Sequence, residues 1–152
     1  MNNRKVYISG EIVPEVDAKI SIFDSAVLLG DTVTESTRTF NFKPFKLDEH
    51  IERLYKSFKL TRIDPQMTIE EMKKVSLELL EINKDNYKAN EDCWLVHNIS
   101  RGHSITGGNP ALQVSKPTVM IYTQPMNLVL WAPFYTKGCH AVTPPLSLIH
   151  IS

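Results

Sequence analysis

Hydrophobic and polar residues alternate along the first part of the chain, as they do in half-buried β-strands. Residues 5–13 alternate on either side of a central glycine, which predicts a hairpin. A longer alternation runs from Val33 to Phe40. One face of that strand is polar throughout, and we expect it to face a wet pocket rather than a dry core. That face consists of Thr34, Ser36 and Arg38.

The apolar residues that follow recur every three or four positions, which is the spacing of a buried helical stripe. The first stripe consists of Ile51, Leu54, Tyr55 and Phe58. We expect Asp48 to cap this helix. Thr68 and Glu71 have the spacing of a capping box and predict a second amphipathic helix. Strand-forming residues return at 93–100 and 118–123, and the order of strands, helices and strands predicts an α+β fold.

Composition and charge exclude several classes of protein. The 152 residues are 42% hydrophobic and 22% charged, the balance of a folded domain. Lys+Arg and Asp+Glu both number 17, so we expect no nucleic-acid partner. No run approaches the roughly 18 apolar residues of a membrane span, so we expect no membrane partner and a cytoplasmic location. Cys93 and Cys139 lack the spacing of a zinc or redox site, and we expect no metal site there.

Arg53 is the first candidate for binding chemistry. It follows His50 by three residues, which places both side chains on one face of the predicted helix, away from the apolar stripe. A guanidinium on a rigid helix can bind a phosphate through two parallel hydrogen bonds. The alternative is an exposed arginine paired with an acidic neighbour on the same helix. From the helix pattern alone, both interpretations remain open.

A series of short motifs follows a definite order and spacing through residues 4–145. They are Val6–Val13, Phe23-Asp24, Leu29-Gly30-Asp31, Val33 with Glu35, Arg38 and Thr39, Lys43-Pro44-Phe45, Glu49-His50-Ile51, Arg53-Leu54 and Ile99–Gly102. The series resembles the opening of the class IV aminotransferases, which are fold-type IV pyridoxal-phosphate enzymes that include branched-chain and D-amino-acid aminotransferases. The resemblance implies that the chain is an N-terminal fragment of such an enzyme, with a small α+β domain and a truncated large domain.

The resemblance implies roles for three arginines. Arg53 stands where the family binds the cofactor phosphate, and Arg38 stands on the strand that lines the active site, where it would bind substrate. Arg101 lies in an Arg-Gly motif on the substrate-carboxylate side. For Arg38 the alternative is a strand-face residue paired with Glu35 or Asp31. We expect Arg38 and Arg53 to point toward one shared concave surface.

The resemblance also implies a domain plan. Residues 1–124 would form the small domain, residues 125–135 the interdomain linker, and residues 136–152 a stub of the large domain that begins with a strand at 138–142. Residues 146–152 depart from the family pattern and can be back-translated into a transposon end sequence used in sequencing libraries, so we expect a non-native tail. The lysine that forms a Schiff base with the cofactor would lie beyond this chain, and we expect the chain alone to be inactive.

The parent protein would thus be a homodimeric pyridoxal-phosphate aminotransferase that moves an amino group from an amino acid to a 2-oxo acid, with branched-chain-like specificity. Two alternatives stay open at this point. One is an enzyme like aminodeoxychorismate lyase, which shares the cofactor. The other is a non-catalytic α+β interaction domain whose charged face is only solvated.

Overall fold

The computed structural model describes residues 3–88, 91–103, 116–126 and 128–143, so the tail expected at 146–152 lies outside the described residues. Within them, six strands form one antiparallel sheet in the order β2-β1-β6-β5-β3-β4. The strands are β1 (Lys5–Ile8), β2 (Glu11–Pro14), β3 (Thr32–Phe40), β4 (Lys43–Pro44), β5 (Cys93–Ser100) and β6 (Thr118–Pro125). β1 and β2 form the predicted hairpin.

The described α-helices are α1 (Ser25–Leu29), α2 (Leu47–Thr61), α3 (Ile69–Asn83) and α4 (Leu128–Lys137). The two long amphipathic helices pack against the sheet, with α2 against β3 and α3 against β1 and β6, and they contact each other. The sheet and the two long helices therefore form two layers, and the predicted α+β class is confirmed. No helix in the described ranges has the length and apolar content to cross a membrane.

The core lies between the sheet and α2 and α3. Each of the two helices buries one stripe, because its apolar residues recur at helical spacing. The predicted stripe of α2 is buried at Ile51, Leu54 and Phe58, whereas Tyr55 is half-buried. The facing residues include Met72 and Leu79 of α3, and Leu95, Ile99 and Ile121 of the sheet. The core holds α2 rigidly beside β3.

The two faces of β3 differ in burial, as the alternation predicts. Val33, Glu35 and Thr37 are buried on the side of the helices. Thr34 and Arg38 project from the opposite face and stay partly or fully exposed. The register pairs Glu35 with His97 of β5, so a carboxylate and an imidazole are neighbours on the buried face of the sheet.

The two helix starts differ in how well the sequence predicted them. The capping box between Thr68 and Glu71 forms at the start of α3 as predicted. The prediction that Asp48 caps α2 is wrong, because α2 begins at Leu47 and its N-cap is Lys46, at φ 53°. β4 pairs with the end of β3, and the tight turn after it starts the helix early. Asp48 instead forms an ion pair with Lys73 of α3.

The segment after β6 differs from its sequence prediction. α4 occupies most of the expected linker, residues 125–135, and continues two residues beyond it. The strand expected at residues 138–142 is absent, since residues 138–143 have no regular structure. A strand needs a hydrogen-bonding neighbour, and no described strand pairs with this segment. The domain boundaries themselves stay a prediction.

Candidate functional site

A buried carboxylate organises the candidate site. Glu35 lies on the helix side of β3 and is only 6% exposed. Arg53 of α2 donates to it through two bonds, from Nε to Oε2 at 2.7 Å and from Nη2 to Oε1 at 2.6 Å. The Ser36 amide donates to Oε1 at 3.0 Å. The strand, the helix and the backbone thus converge on one carboxylate.

His50 completes the group. Its Nδ1 lies 2.8 Å from Oε1 of Glu35, one turn of α2 before Arg53. Because an ionised carboxylate only accepts hydrogen bonds, Nδ1 carries the hydrogen in this contact. The predicted arrangement of His50 and Arg53 on one helix face is confirmed, and Glu35 is the residue that both contact.

Charge and hydrogen bonding decide the ionisation of Glu35. Burial alone raises the pKa of a carboxyl group, because the charged form loses its water. The hydrogen bonds from Arg53, His50 and the Ser36 amide outweigh burial, so the pKa of Glu35 lies below its usual value. The same contact raises the pKa of Arg53. The ion pair therefore persists at neutral pH.

The Arg53 side chain is only partly used by this contact. A guanidinium has five N–H donors, of which two are directed to Glu35, leaving three for other partners. The side chain is 65% exposed, whereas its partner Glu35 is buried. Arg53 thus combines a fixed anchor with a mostly exposed side chain that has further N–H donors, which suits recognition of a phosphate or carboxylate.

Arg38 lies on the opposite face of β3. Its guanidinium carbon lies 4.1 Å from the centroid of the Phe40 ring, and its Nε donates to the carbonyl of Thr39 at 3.4 Å. Neither Glu35 nor Asp31, the alternative partners considered for it, is its ion-pair partner among the described contacts. The prediction that Arg38 and Arg53 point to one shared surface is wrong. Arg53 binds Glu35, and residues an odd number apart on a strand, such as Glu35 and Arg38, project to opposite faces.

Arg101 joins three parts of the fold. Its Nε donates to Asp31 Oδ2 at 2.8 Å and its Nη2 to Oδ1 at 3.3 Å. Its Nη1 and Nη2 also donate to the carbonyls of Arg62 and Thr61, at 2.8 and 3.0 Å, at the C-terminal end of α2. These carbonyls lack partners within the helix, so Arg101 caps it. These hydrogen bonds tie Arg101 to Asp31 and to the end of α2 rather than to Glu35 or Arg38.

A second polar pair lies buried near Glu35. His97 is fully buried, and its Nε2 lies 2.7 Å from the Ser76 hydroxyl of α3. Its Nδ1 has no hydrogen-bond partner among the described residues. Burial lowers the pKa of His97 to about 4, although the negative charge of Glu35 acts in the other direction. His97 is thus neutral at physiological pH.

The sequence alone did not identify Glu35 as the partner of Arg53, or Asp31 as the partner of Arg101. The acidic residues of α2 were considered for Arg53, and its partner is Glu35 of the strand. Asp31 was considered for Arg38 and pairs with Arg101. The available signal was a carboxylate at a helix-facing position of β3, since a buried charge requires a partner from the adjacent layer.

Part of this chain is similar in sequence to proteins of one known family. The model of the family described as amino-transferase class IV matches residues 32–148. A putative branched-chain-amino-acid aminotransferase of Methanocaldococcus jannaschii is 40% identical over 122 residues, covering 80% of this chain and 40% of that protein. A D-alanine aminotransferase of Staphylococcus epidermidis is 32% identical over 120 residues, covering 79% of this chain and 41% of that protein.

A solved structure agrees in fold. The branched-chain aminotransferase of the thermophilic archaeon Thermoproteus uzoniensis, solved with norvaline, matches with a TM-score of 0.68 and 25% identity, over 82% of this chain and 41% of that chain. The chain thus spans about two fifths of the length of the proteins it matches. The lyase and the non-catalytic domain are not favoured by these matches. By sequence and by fold, the chain belongs to the class IV aminotransferase family.

Proposed function

We propose that this chain is part of a pyridoxal-phosphate-dependent aminotransferase that transfers an amino group between an amino acid and a 2-oxo acid, with branched-chain-like specificity. The single observation that carries the proposal is Arg53, an exposed guanidinium anchored by a buried carboxylate at the family's phosphate position. The proposal includes a cytoplasmic homodimer for the parent protein, by analogy with the family. It assigns the Schiff-base lysine to the parent protein rather than to this chain.

The residues present fit the phosphate end of the cofactor. Arg53 has three N–H donors beyond those directed to Glu35, and its side chain is 65% exposed. Arg53 would hold the phosphate through these donors, because a guanidinium can bind a phosphate through two parallel hydrogen bonds. Pyridoxal phosphate supplies the electron sink for bond breaking at the substrate α-carbon. Arg53 contributes binding and orientation rather than proton transfer.

The opposite side of β3 would contact substrate. Arg38 projects from the partly exposed face, where its guanidinium stacks on Phe40 and can bind a carboxylate. The described strands leave the outer edge of β3 unpaired except at Thr39 and Phe40. In this proposal Arg53 would hold the cofactor phosphate on one side of this edge, and Arg38 would hold the substrate carboxylate on the other. Arg101, which caps α2 and pairs with Asp31, would be at the margin of the substrate region.

The proposal is tested by binding of pyridoxine 5'-phosphate to the purified chain. This probe has an alcohol in place of the aldehyde, so surface lysines cannot react with it. We expect Arg53→Gln to weaken its binding by roughly tenfold or more, the effect of losing a charge-assisted hydrogen bond. Isothermal titration calorimetry measures the affinity, and pyridoxine without the phosphate serves as the control ligand.

Lys56→Gln is the matched control variant. Lys56 is exposed on the same helix, one position before Ser57, and its replacement makes the same change in charge. We expect its affinity to match that of the wild type. Equal affinity of the wild type and Arg53→Gln, or equal affinity for pyridoxine and its phosphate, would contradict the phosphate role of Arg53.

A further inference from the structure

We infer that Glu35 is the positioning residue for the phosphate site: it holds the Arg53 guanidinium by one edge and presents the other edge to the anion. The inference rests on the proposed function, because it concerns how Arg53 meets the cofactor phosphate. It assigns a binding role to a negatively charged residue within an anion site, where simple electrostatics predicts that a carboxylate only weakens binding.

The geometry supports an anchor rather than a surface ion pair. Two parallel bonds of 2.7 and 2.6 Å fix the plane of the guanidinium as well as its position. The carboxylate is itself fixed, since the Ser36 amide and His50 Nδ1 both bind Oε1. Glu35 is 6% exposed whereas Arg53 is 65% exposed, so the carboxylate that fixes the guanidinium is buried while most of the arginine side chain is open to solvent.

An anchored arginine binds an anion more tightly because less conformational entropy is lost on binding. A free arginine side chain loses rotamer entropy when an anion fixes it. In this structure folding has already fixed Arg53 through Glu35. The opposing effect is repulsion between Glu35 and the phosphate. His50 and Arg53 both donate to Glu35 and reduce that repulsion.

Positioning of Arg53 and repulsion of the phosphate predict opposite changes in affinity when Glu35 is replaced by glutamine. If positioning dominates, Glu35→Gln frees the guanidinium and weakens binding of pyridoxine 5'-phosphate by about tenfold. If repulsion dominates, the same variant binds the probe more tightly than the wild type. Glu52→Gln is the matched control, since Glu52 is exposed beside Arg53 on α2 and loses the same charge. We expect it to bind as tightly as the wild type or slightly tighter.

A second measurement tests the contact between Arg53 and Glu35 in the wild-type chain. It therefore applies even if Glu35→Gln fails to fold. Nuclear magnetic resonance detects the Nε–H group of each arginine. We expect Arg53 Nε–H to exchange slowly with water before any ligand is added, because it is bonded to Glu35. Rapid exchange of Arg53 Nε–H in the free protein would overturn the inference.

The outcomes separate the inference from the proposed function. If the wild type binds pyridoxine 5'-phosphate no better than pyridoxine, the proposed phosphate site is wrong, whatever Glu35 does. If the wild type binds the phosphate and Glu35→Gln, shown to be folded by urea unfolding, binds equally well or more tightly, positioning by Glu35 is overturned while the phosphate site stands.

Discussion

His97 links a single buried side chain to the stability of the domain in acid. In the unfolded chain a histidine takes up a proton as the pH falls below about 6.5, whereas in the folded domain burial lowers the pKa of His97 to about 4. Acid therefore favours the unfolded state. We expect the free energy of unfolding to fall by roughly 3 kcal/mol between pH 8 and pH 4, measured by urea denaturation.

His97→Gln should remove most of this pH dependence above pH 4.5, whatever its effect on stability at pH 8. His140→Gln is the control, because His140 is exposed. Glu35 affects the free energy of unfolding only at lower pH. Because its pKa is lowered in the folded domain, its stabilising charge is lost only below about pH 4.5. If the free energy of unfolding of the wild type does not change from pH 8 to pH 4.5, then His97 is not buried in its neutral form.

The contacts of Arg101 predict that this single side chain stabilises the domain. Arg101→Ala leaves Asp31 without its ion-pair partner and removes the donors to the carbonyls of Thr61 and Arg62. We expect a loss of about 2 kcal/mol in the free energy of unfolding. Arg101→Lys keeps the charge but lacks the planar set of N–H donors of a guanidinium. We expect its free energy of unfolding to fall by about half as much. Unchanged stability of Arg101→Ala would favour a role in substrate binding alone.

At the scale of elements, α3 depends on its N-terminal cap. The Thr68 hydroxyl accepts from the amide of Glu71 at 3.1 Å, and the Glu71 carboxylate accepts from the Thr68 amide at 2.8 Å. We expect Thr68→Ala to lower the free energy of unfolding by about 1 kcal/mol. Thermal or urea unfolding measures the change.

Thr61→Ala is the comparison for Thr68→Ala. The Thr61 hydroxyl donates to the carbonyl of Ser57 within α2, and a contact of this kind adds little to helix stability. We expect a change within about 0.5 kcal/mol for this exposed position. A loss as large as that of Thr68→Ala would mean that the capping box is not what distinguishes the two sites.

At the scale of the whole molecule, apolar side chains of α4 are uncovered. Val129 is 81% exposed and Leu130 63% exposed, and Trp131 and Phe134 are more than half exposed. Contiguous exposed apolar surface promotes self-association. We therefore expect the purified 152-residue chain to be oligomeric or poorly soluble, and deletion of residues 125–152 to reduce its mass in light scattering toward that of a monomer.

A second variant tests whether α4 itself is responsible. Val129→Lys with Leu130→Lys places two charges on the exposed helix without shortening the chain. We expect it to reduce association as the deletion does. If the intact chain is monomeric in light scattering and neither change alters its behaviour, then the exposed surface of α4 does not drive association.

Local patterns in the sequence determined the class of the fold, the hairpin of β1 and β2, the strands β3, β5 and β6, and the helices α2 and α3, but not α1, β4 or α4. Alternation set the two faces of β3, and helical spacing set the stripe of α2, because these periods follow from backbone geometry. The capping box of α3 is equally local. The family resemblance in the motifs around Glu35 and Arg53 was also readable from the chain alone.

Only the tertiary structure decided which charges meet. Arg53 could have paired with an acidic neighbour on α2, and the packing of α2 on β3 instead brings it to Glu35, 18 positions away in sequence. Arg101 meets Asp31 across 70 positions, and Arg38 projects from the opposite face of β3 to Glu35, the partner of Arg53. Ion pairs depend on distances of a few ångströms between side chains of different elements, and those distances arise only when the elements pack.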